Sequence, residues 1–176
     1  MEPRAGGSTA DMPGRGLTVD EVMAILPETP RRIAALTDGL TPTELRASPG
    51  PDAWSVSYVL AHLRACHDVL GGNIQRIVAE DTPRWKRESP RSWIRKTDYP
   101  DWEFPPAFTA FKEQRTELLK VLEPLSPDGW DRCALVTERD GEIEARTTLY
   151  YGDWLAEHVR QHWEHLEGIV AAVREG

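Results

Sequence analysis

Two histidines four residues apart, His158 and His162, stand in the stretch D-W-L-A-E-H-V-R-Q-H-W-E-H-L-E-G-I near the C-terminus. Four residues of α-helix advance about 6 Å and rotate about 40° past one turn, so both imidazoles leave the same face and can share a divalent ion. A third ligand has to come from another element. The chain has five histidines, and His62, in S-V-S-Y-V-L-A-H-L, sits in a second strongly apolar run of helical spacing. Packing those two faces together brings three imidazoles to one point and leaves the remaining coordination positions to water or substrate. A hydrogen-bonded histidine cluster without an ion is the other reading of the same residues. A triad of His158, His162 and His165 is excluded, because it would span about 10 Å of helix against metal bonds of about 2 Å. His165 is therefore a candidate for the layer behind the ligands. Cys66, one turn beyond His62, reads as a small core residue within reach of the site, while His67 is rotated about 140° away from it.

The elements that must position these side chains follow from caps and breakers. Thr18 and Glu21 form a capping box that opens a helix to about Leu40. Pro27 and Pro30 predict a break inside it, with Thr29 recapping the continuation. A short helical turn from Thr41 to Arg46 precedes the loop S-P-G-P-D. Ser55 caps a second long helix to about Glu80, with Val56, Val59, Leu60, Leu63, Leu70, Ile74 and Ile77 at helical spacing and Gly71 and Gly72 weakening it. A third spans about Pro106 to Leu122, ended by Pro124 and Pro127. Asp140-Gly141 predicts a small hairpin between Cys133 and Thr147, and a last helix runs from near Thr148 to the end. Four long helices around one core give an all-α four-helix bundle.

Between the second and third helices, Asp81 to Pro106 carries five prolines and a run of aromatics. A connection this long inside a compact domain is a lid or a crossover. Trp85, Trp93 and Trp102 are expected to wall a pocket over the histidines, and Arg91 and Arg95 could hold a carboxylate of a cosubstrate. Trp54 and Trp154 read as packing residues at helix starts. Asp153, Glu157, Glu164 and Glu167 are the carboxylates that could fix the outer imidazole nitrogens, with Glu157 and Glu164 expected to face solvent.

The 176 residues suit one domain, 18–176, behind a flexible leader, 1–17. A net charge of −8 and a pI near 5.2 argue against a nucleic-acid surface, which needs clustered Lys and Arg. Two cysteines, Cys66 and Cys133, make no disulfide framework, and no apolar run reaches the roughly 20 residues of a membrane span. A cytoplasmic, soluble protein acting on small molecules is the expectation.

Trp54-Ser55-Val56 leading to A-H-L around His62, together with H-x-x-x-H-x-x-H at His158, His162 and His165, resembles the DinB/YfiT-like superfamily. The resemblance covers about Thr18 to Val173. It implies an up-down-down-up bundle with residues 81–106 as the crossover, His62, His158 and His162 as ligands to a divalent metal such as zinc or nickel, and His165 at a following Gln/His position. Characterised members include thiol-dependent S-transferases and mycothiol-dependent maleylpyruvate isomerases, and relatives form homodimers. The resemblance implies neither a substrate nor a catalytic side chain.

Three expectations of function follow. In the first, a low-molecular-weight thiol is deprotonated at the ion and attacks an electrophilic small molecule. In the second, the bundle is non-catalytic, and the site stabilises the fold or sequesters a small molecule. Metal-assisted hydrolysis ranks last, since no general base can be named.

Overall fold

The computed structural model describes residues 16–175; all but the last two residues of the expected leader, 1–17, lie outside them. Helix α1 (Val19–Thr37) opens on the expected capping box, with Thr18 and Glu21 satisfying each other's backbone N–H groups. It then runs unbroken through Pro27 and Pro30, contrary to the expected break. Each interior proline costs about 3 kcal/mol. Burial of Val22, Leu26, Thr29 and Ile33 along one face offsets this at about 1.5–3 kcal/mol per large apolar side chain. Thr29 does not recap the helix; its hydroxyl donates to the Ile25 carbonyl at 3.1 Å.

After α2 (Pro42–Arg46), helix α3 (Val56–Cys66) continues through a π-helical turn (His67–Gly71) into α4 (Gly72–Ala79). Gly71 is required by a close approach, since a Cβ there would come 3.2 Å from Nε2 of the buried His67 ring. Helix α6 (Phe104–Leu122) starts two residues before Pro106, because prolines in the first turn lose no intrahelical bond. A short α7 (Pro127–Asp131), unforeseen, buries Trp130, and α8 (Thr148–Glu175) closes the bundle. Two apolar clusters fill it. One gathers Leu26, Leu70, Ile74, Leu118, Leu155 and Ala156; the other gathers Ile33, Val59, Leu63, Phe111, Val159 and Leu166. His158 falls on α8 between Ala156 and Val159, where one cluster gives way to the other.

The fold is mostly helical but not all-α. The crossover contains β1 (Arg84–Lys86), α5 (Pro90–Ile94) and a 3₁₀ turn (Tyr99–Asp101), and the hairpin is formed by β2 (Cys133–Thr137) and β3 (Ile143–Thr147). Strand β1 pairs in parallel with β2, Trp85 opposite Val136, and β2 pairs antiparallel with β3, Leu135 opposite Ala145. Ala134 and Val136 turn inward from β2 and are buried. The small sheet therefore ties the crossover to the hairpin.

A second tie fastens the crossover to the bundle. The carboxylate of Asp68, on the π-helical turn, accepts from Trp93 Nε1 at 3.0 Å, the Tyr99 hydroxyl at 2.7 Å and Gln114 Nε2 at 2.6 Å. One turn back, the Arg64 guanidinium lies 3.8 Å from the Tyr99 ring centroid and 4.3 Å from that of Trp102. Replacing Asp68 with Ala strips three half-buried donors of their acceptor, a loss of about 2–4 kcal/mol on the usual cost of unsatisfied polar groups. Urea melts of Asp68→Ala should show that loss, with hydrogen exchange accelerating first over residues 84–103. A change below about 0.5 kcal/mol, within the range of surface substitutions, would show that the clamp is not holding the crossover.

A candidate metal centre

His62 projects from the middle of α3, and His158 and His162 project one turn apart from α8. Their ligating nitrogens all lie within 4.8 Å of one another. Nε2 of His62 and Nε2 of His158 are 3.2 Å apart, close to the separation of about 3.3 Å that two nitrogens adopt on a tetrahedral ion with 2.0–2.1 Å bonds. His62 and His162 are buried, while His158 is partly exposed. The residues that the i, i+4 spacing and the apolar run around His62 pointed to are brought together. His165 stands outside this group, its ring 5.8 Å from that of His162.

Indole packing orients the rings. Trp54, immediately before the Ser55 cap of α3, stacks nearly parallel on His162 with centroids 5.9 Å apart, and lies 5.0 Å from His62 and 5.8 Å from His165. The expected carboxylate partners do not take this role. Nδ1 of His158 and Nδ1 of His162 are buried without a hydrogen-bond partner. Asp153 instead accepts from the Gly16 amide at 2.9 Å, and Glu157 lies 3.6 Å from Arg160. Glu157 is buried, contrary to expectation, because the middle of α8 is enclosed around most of its circumference; Glu164 and Glu167 are exposed.

His62 and His158 form one wall of a cavity of about 140 Å³, which His162 does not line. Cys66 joins them there, Sγ lying 3.5 Å from Nε2 of His62 and 3.9 Å from Nε2 of His158. Leu70 and Trp154 supply apolar surface, and Arg87, Arg91 and Arg139 line it as well. Trp85, Trp93 and Trp102 do not wall this cavity. Trp85 and Trp93 border a separate groove beside Asn73 and Arg76, and Trp102 packs on Arg64. The correction has a physical cause: Asp68 holds Trp93, Arg64 holds Trp102, and the Arg76 guanidinium covers Trp85 at 4.7 Å. Arg95 also stands away, its guanidinium 3.4 Å from the Ser92 hydroxyl. Trp54 and Trp154 are the site tryptophans that the sequence reading assigned to packing alone. For Trp54 the signal was its place directly before the cap of the helix that carries His62.

Burial sets the protonation of the cluster. It lowers His62 to about 3, assisted by the neighbouring His158 and by Arg91, and lowers His158 to about 4, with Arg91 again assisting. His162 lies well below its ordinary value for the same reason, reinforced by His158 and His62. All three imidazoles are therefore neutral at pH 7, the form that ligates a metal. Burial also pushes the Cys66 thiol up, so it stays protonated. In the unfolded chain these histidines take up protons near pH 6.5, whereas the ion-free folded chain keeps His62 and His158 neutral down to about pH 3–4 and His162 neutral well below its ordinary value. Below pH 6.5 the unfolded state binds more protons, so stability falls with pH, by up to about 1.4 kcal/mol per group per pH unit. Urea melts of chelator-treated protein from pH 7 to 4.5 should show this decline, and a His62→Leu/His158→Leu variant should show a shallower one. Equal slopes would mean that the cluster does not carry the effect.

The comparisons with known proteins give the family and the fold. The sequence pattern of the DinB superfamily matches residues 25–166. The fold is similar to that of YfiT from Bacillus subtilis, described as "a probable metal-dependent hydrolase with an unusual four-helix bundle topology". The TM-score is 0.72 at 18% identity, over 90% of this chain and 91% of that one. It is also similar to the mycothiol-dependent maleylpyruvate isomerase, with a TM-score of 0.61 at 15% identity over 89% of this chain and 63% of that one. No curated protein matches the sequence. With the family pattern spanning both helices that carry the converging histidines, the chain belongs to the DinB superfamily.

Proposed function

We propose that this protein is a divalent-metal-dependent enzyme that transfers a low-molecular-weight thiol to an electrophilic small molecule, with His62, His158 and His162 as the metal ligands. The observation that carries the reading is the convergence of three neutral imidazoles, two of which, His62 and His158, open onto a cavity whose single thiol is not a competent nucleophile. Cys66 is held protonated by burial. Among the described residues, no aspartate or glutamate lines the cavity to serve as a general base for water. The reacting sulfur therefore comes from outside.

The donor set fits the ion. Three imidazoles with one Nε2 pair 3.2 Å apart suit zinc or nickel and leave a coordination position open. A divalent ion held there supplies the positive charge that makes a thiol acidic at neutral pH. The protein's own contribution is placement and exclusion. Burial keeps the imidazoles unprotonated, Trp54 fixes two of their ring planes, and Leu70 and Trp154 shed water from the reacting centre. In the reaction the S–H proton passes to solvent, a carbon–sulfur bond forms and the electrophile's leaving group departs with its bonding electrons. A cytoplasmic protein working on small molecules, and not on nucleic acid, is consistent with the acidic charge. Among the described residues no helix is long and apolar enough to cross a membrane. The mycothiol dependence of the maleylpyruvate isomerase supports the thiol half of the reading, and the description of YfiT as a probable metal-dependent enzyme supports the metal half, although its named reaction is hydrolysis.

Two experiments test it. Protein purified without an affinity tag should carry a stoichiometric divalent ion by elemental analysis. His62→Ala and His158→Ala should lose it, with affinity falling by more than the roughly 10- to 100-fold typical of removing an outer-layer partner. Variants that keep the ion would refute the ligand assignment. In the second, the metal-loaded protein is incubated with chlorodinitrobenzene and, in turn, mycothiol, bacillithiol, glutathione or coenzyme A. Mass spectrometry should find a conjugate with at least one thiol, with chloride released, and chelation should abolish it. Tight metal retention without any conjugate would favour a non-catalytic, sequestering role instead.

A further inference from the structure

The cavity beside the three histidines has a charge opposite to that of the chain. The protein carries a net −8, yet the described residues lining this cavity include Arg87, Arg91 and Arg139 and no carboxylate. The three come from separate stretches that the small sheet draws together. Arg87 directly follows β1, and its amide donates to the Thr137 carbonyl at the end of β2 at 2.9 Å. Its guanidinium bonds Glu138 at 3.2 Å, which fixes it against the hairpin. Arg139 is the next residue in that hairpin's turn, and Arg91 stands in α5. None of these elements is needed to bring the histidines together; what they add to the cavity is positive charge.

We propose that this cavity recognises a small carboxylic acid as the electrophilic substrate, its carboxylate held by Arg87, Arg91 and Arg139 while the rest of the molecule lies against the histidines. The inference rests on the reading of the cavity as the substrate site and adds the chemical class that it takes. Guanidinium is the group best matched to a carboxylate, through two parallel N–H donors. Its five donors leave N–H groups for a ligand even on arginines already engaged within the protein, as all three of these are.

Succinate, an unreactive short-chain dicarboxylate, is the probe, with dimethyl succinate as its uncharged counterpart and S-methylglutathione standing for a thiol cosubstrate that cannot ligate through sulfur. Isothermal titration is run on zinc-loaded and on chelator-treated protein, so that direct ligation to the ion is separated from binding by the arginines. Succinate should bind in both states and dimethyl succinate should not. The Arg91→Gln/Arg139→Gln variant should weaken succinate by about tenfold or more, the equivalent of losing one charge-assisted hydrogen bond of about 1.5 kcal/mol. Both side chains are exposed, and each single variant repeats the test if the double variant melts early. Unchanged succinate affinity in the variants, or equal binding of the diester, overturns the proposal. Arginine dependence confined to S-methylglutathione overturns it too, because the anion would then belong to the thiol. Failure of the thiol-transfer reading looks different: no conjugate forms, while succinate binding keeps its dependence on the arginines.

Discussion

Three uncharged imidazoles enclosed between two helices set the terms for the rest of this structure. A buried polar atom without a partner costs a few kcal/mol, and the described cluster satisfies little of its own demand. Nε2 of His62 and Nε2 of His158 face each other, while the outer nitrogens of His158 and His162 have no partner. Such a group persists in a folded core only if the surrounding apolar packing is strong enough to hold it, or if a ligand rewards it. The packing is visible on both sides, with Leu155 and Leu70 in one cluster, Val159 and Leu63 in the other, and the histidines at the seam. Sliding α8 by one residue against α3 would rotate the imidazoles by about 100° and turn apolar side chains out of both clusters. The register of the site is thus enforced by the core.

The crossover depends on the same helix by different chemistry. Asp68 stands on the π-helical turn, and that turn bulges the helix where it meets Trp93, Tyr99 and Gln114. Burial and the bond to Asp68 hold the Tyr99 phenol protonated, its pKa raised to about 12, so it remains a donor at any working pH. Gly71 leaves room for the His67 ring on the other side of the turn. A helix that would otherwise only supply His62 thereby also anchors the segment carrying Arg87 and Arg91 above it.

The parts of this arrangement legible in the sequence were those with a period or a cap. His158 and His162 share a face by spacing alone, His62 sits within an apolar stripe, the capping box at Thr18 appears as read, and the short turn read from Thr41 is helical, closed by a capping box that was not read. Illegible parts depended on tertiary partners. Strand β1 is three residues long, too short for any alternation to show, and exists because β2 offers it a parallel edge. Pro27 and Pro30 carry a local signal for a break that burial of Leu26 and Ile33 overrides. The tryptophans were misallocated because composition says that aromatics are present but not which polar groups will claim them. Asp68 claimed Trp93 and Arg64 claimed Trp102, while Trp154, inconspicuous in its helix, faces the cavity.

These observations divide the work between two layers. The bundle positions neutral ring nitrogens, groups that can hold an ion but cannot by themselves select a molecule. Selection has to come from what rims the cavity, and there the charged side chains belong to the crossover and the hairpin turn. Loops tolerate substitution more readily than packed helices do, so charge carried on them can change without disturbing the seam between the two apolar clusters. The three-histidine geometry of this chain is then compatible with a change of small molecule through substitutions at the rim alone. In this chain the charge at that rim is set by Arg87, Arg91 and Arg139, and the carboxylate specificity proposed above rests on them, because they differ from the neutral imidazoles in the sign of the charge they accept.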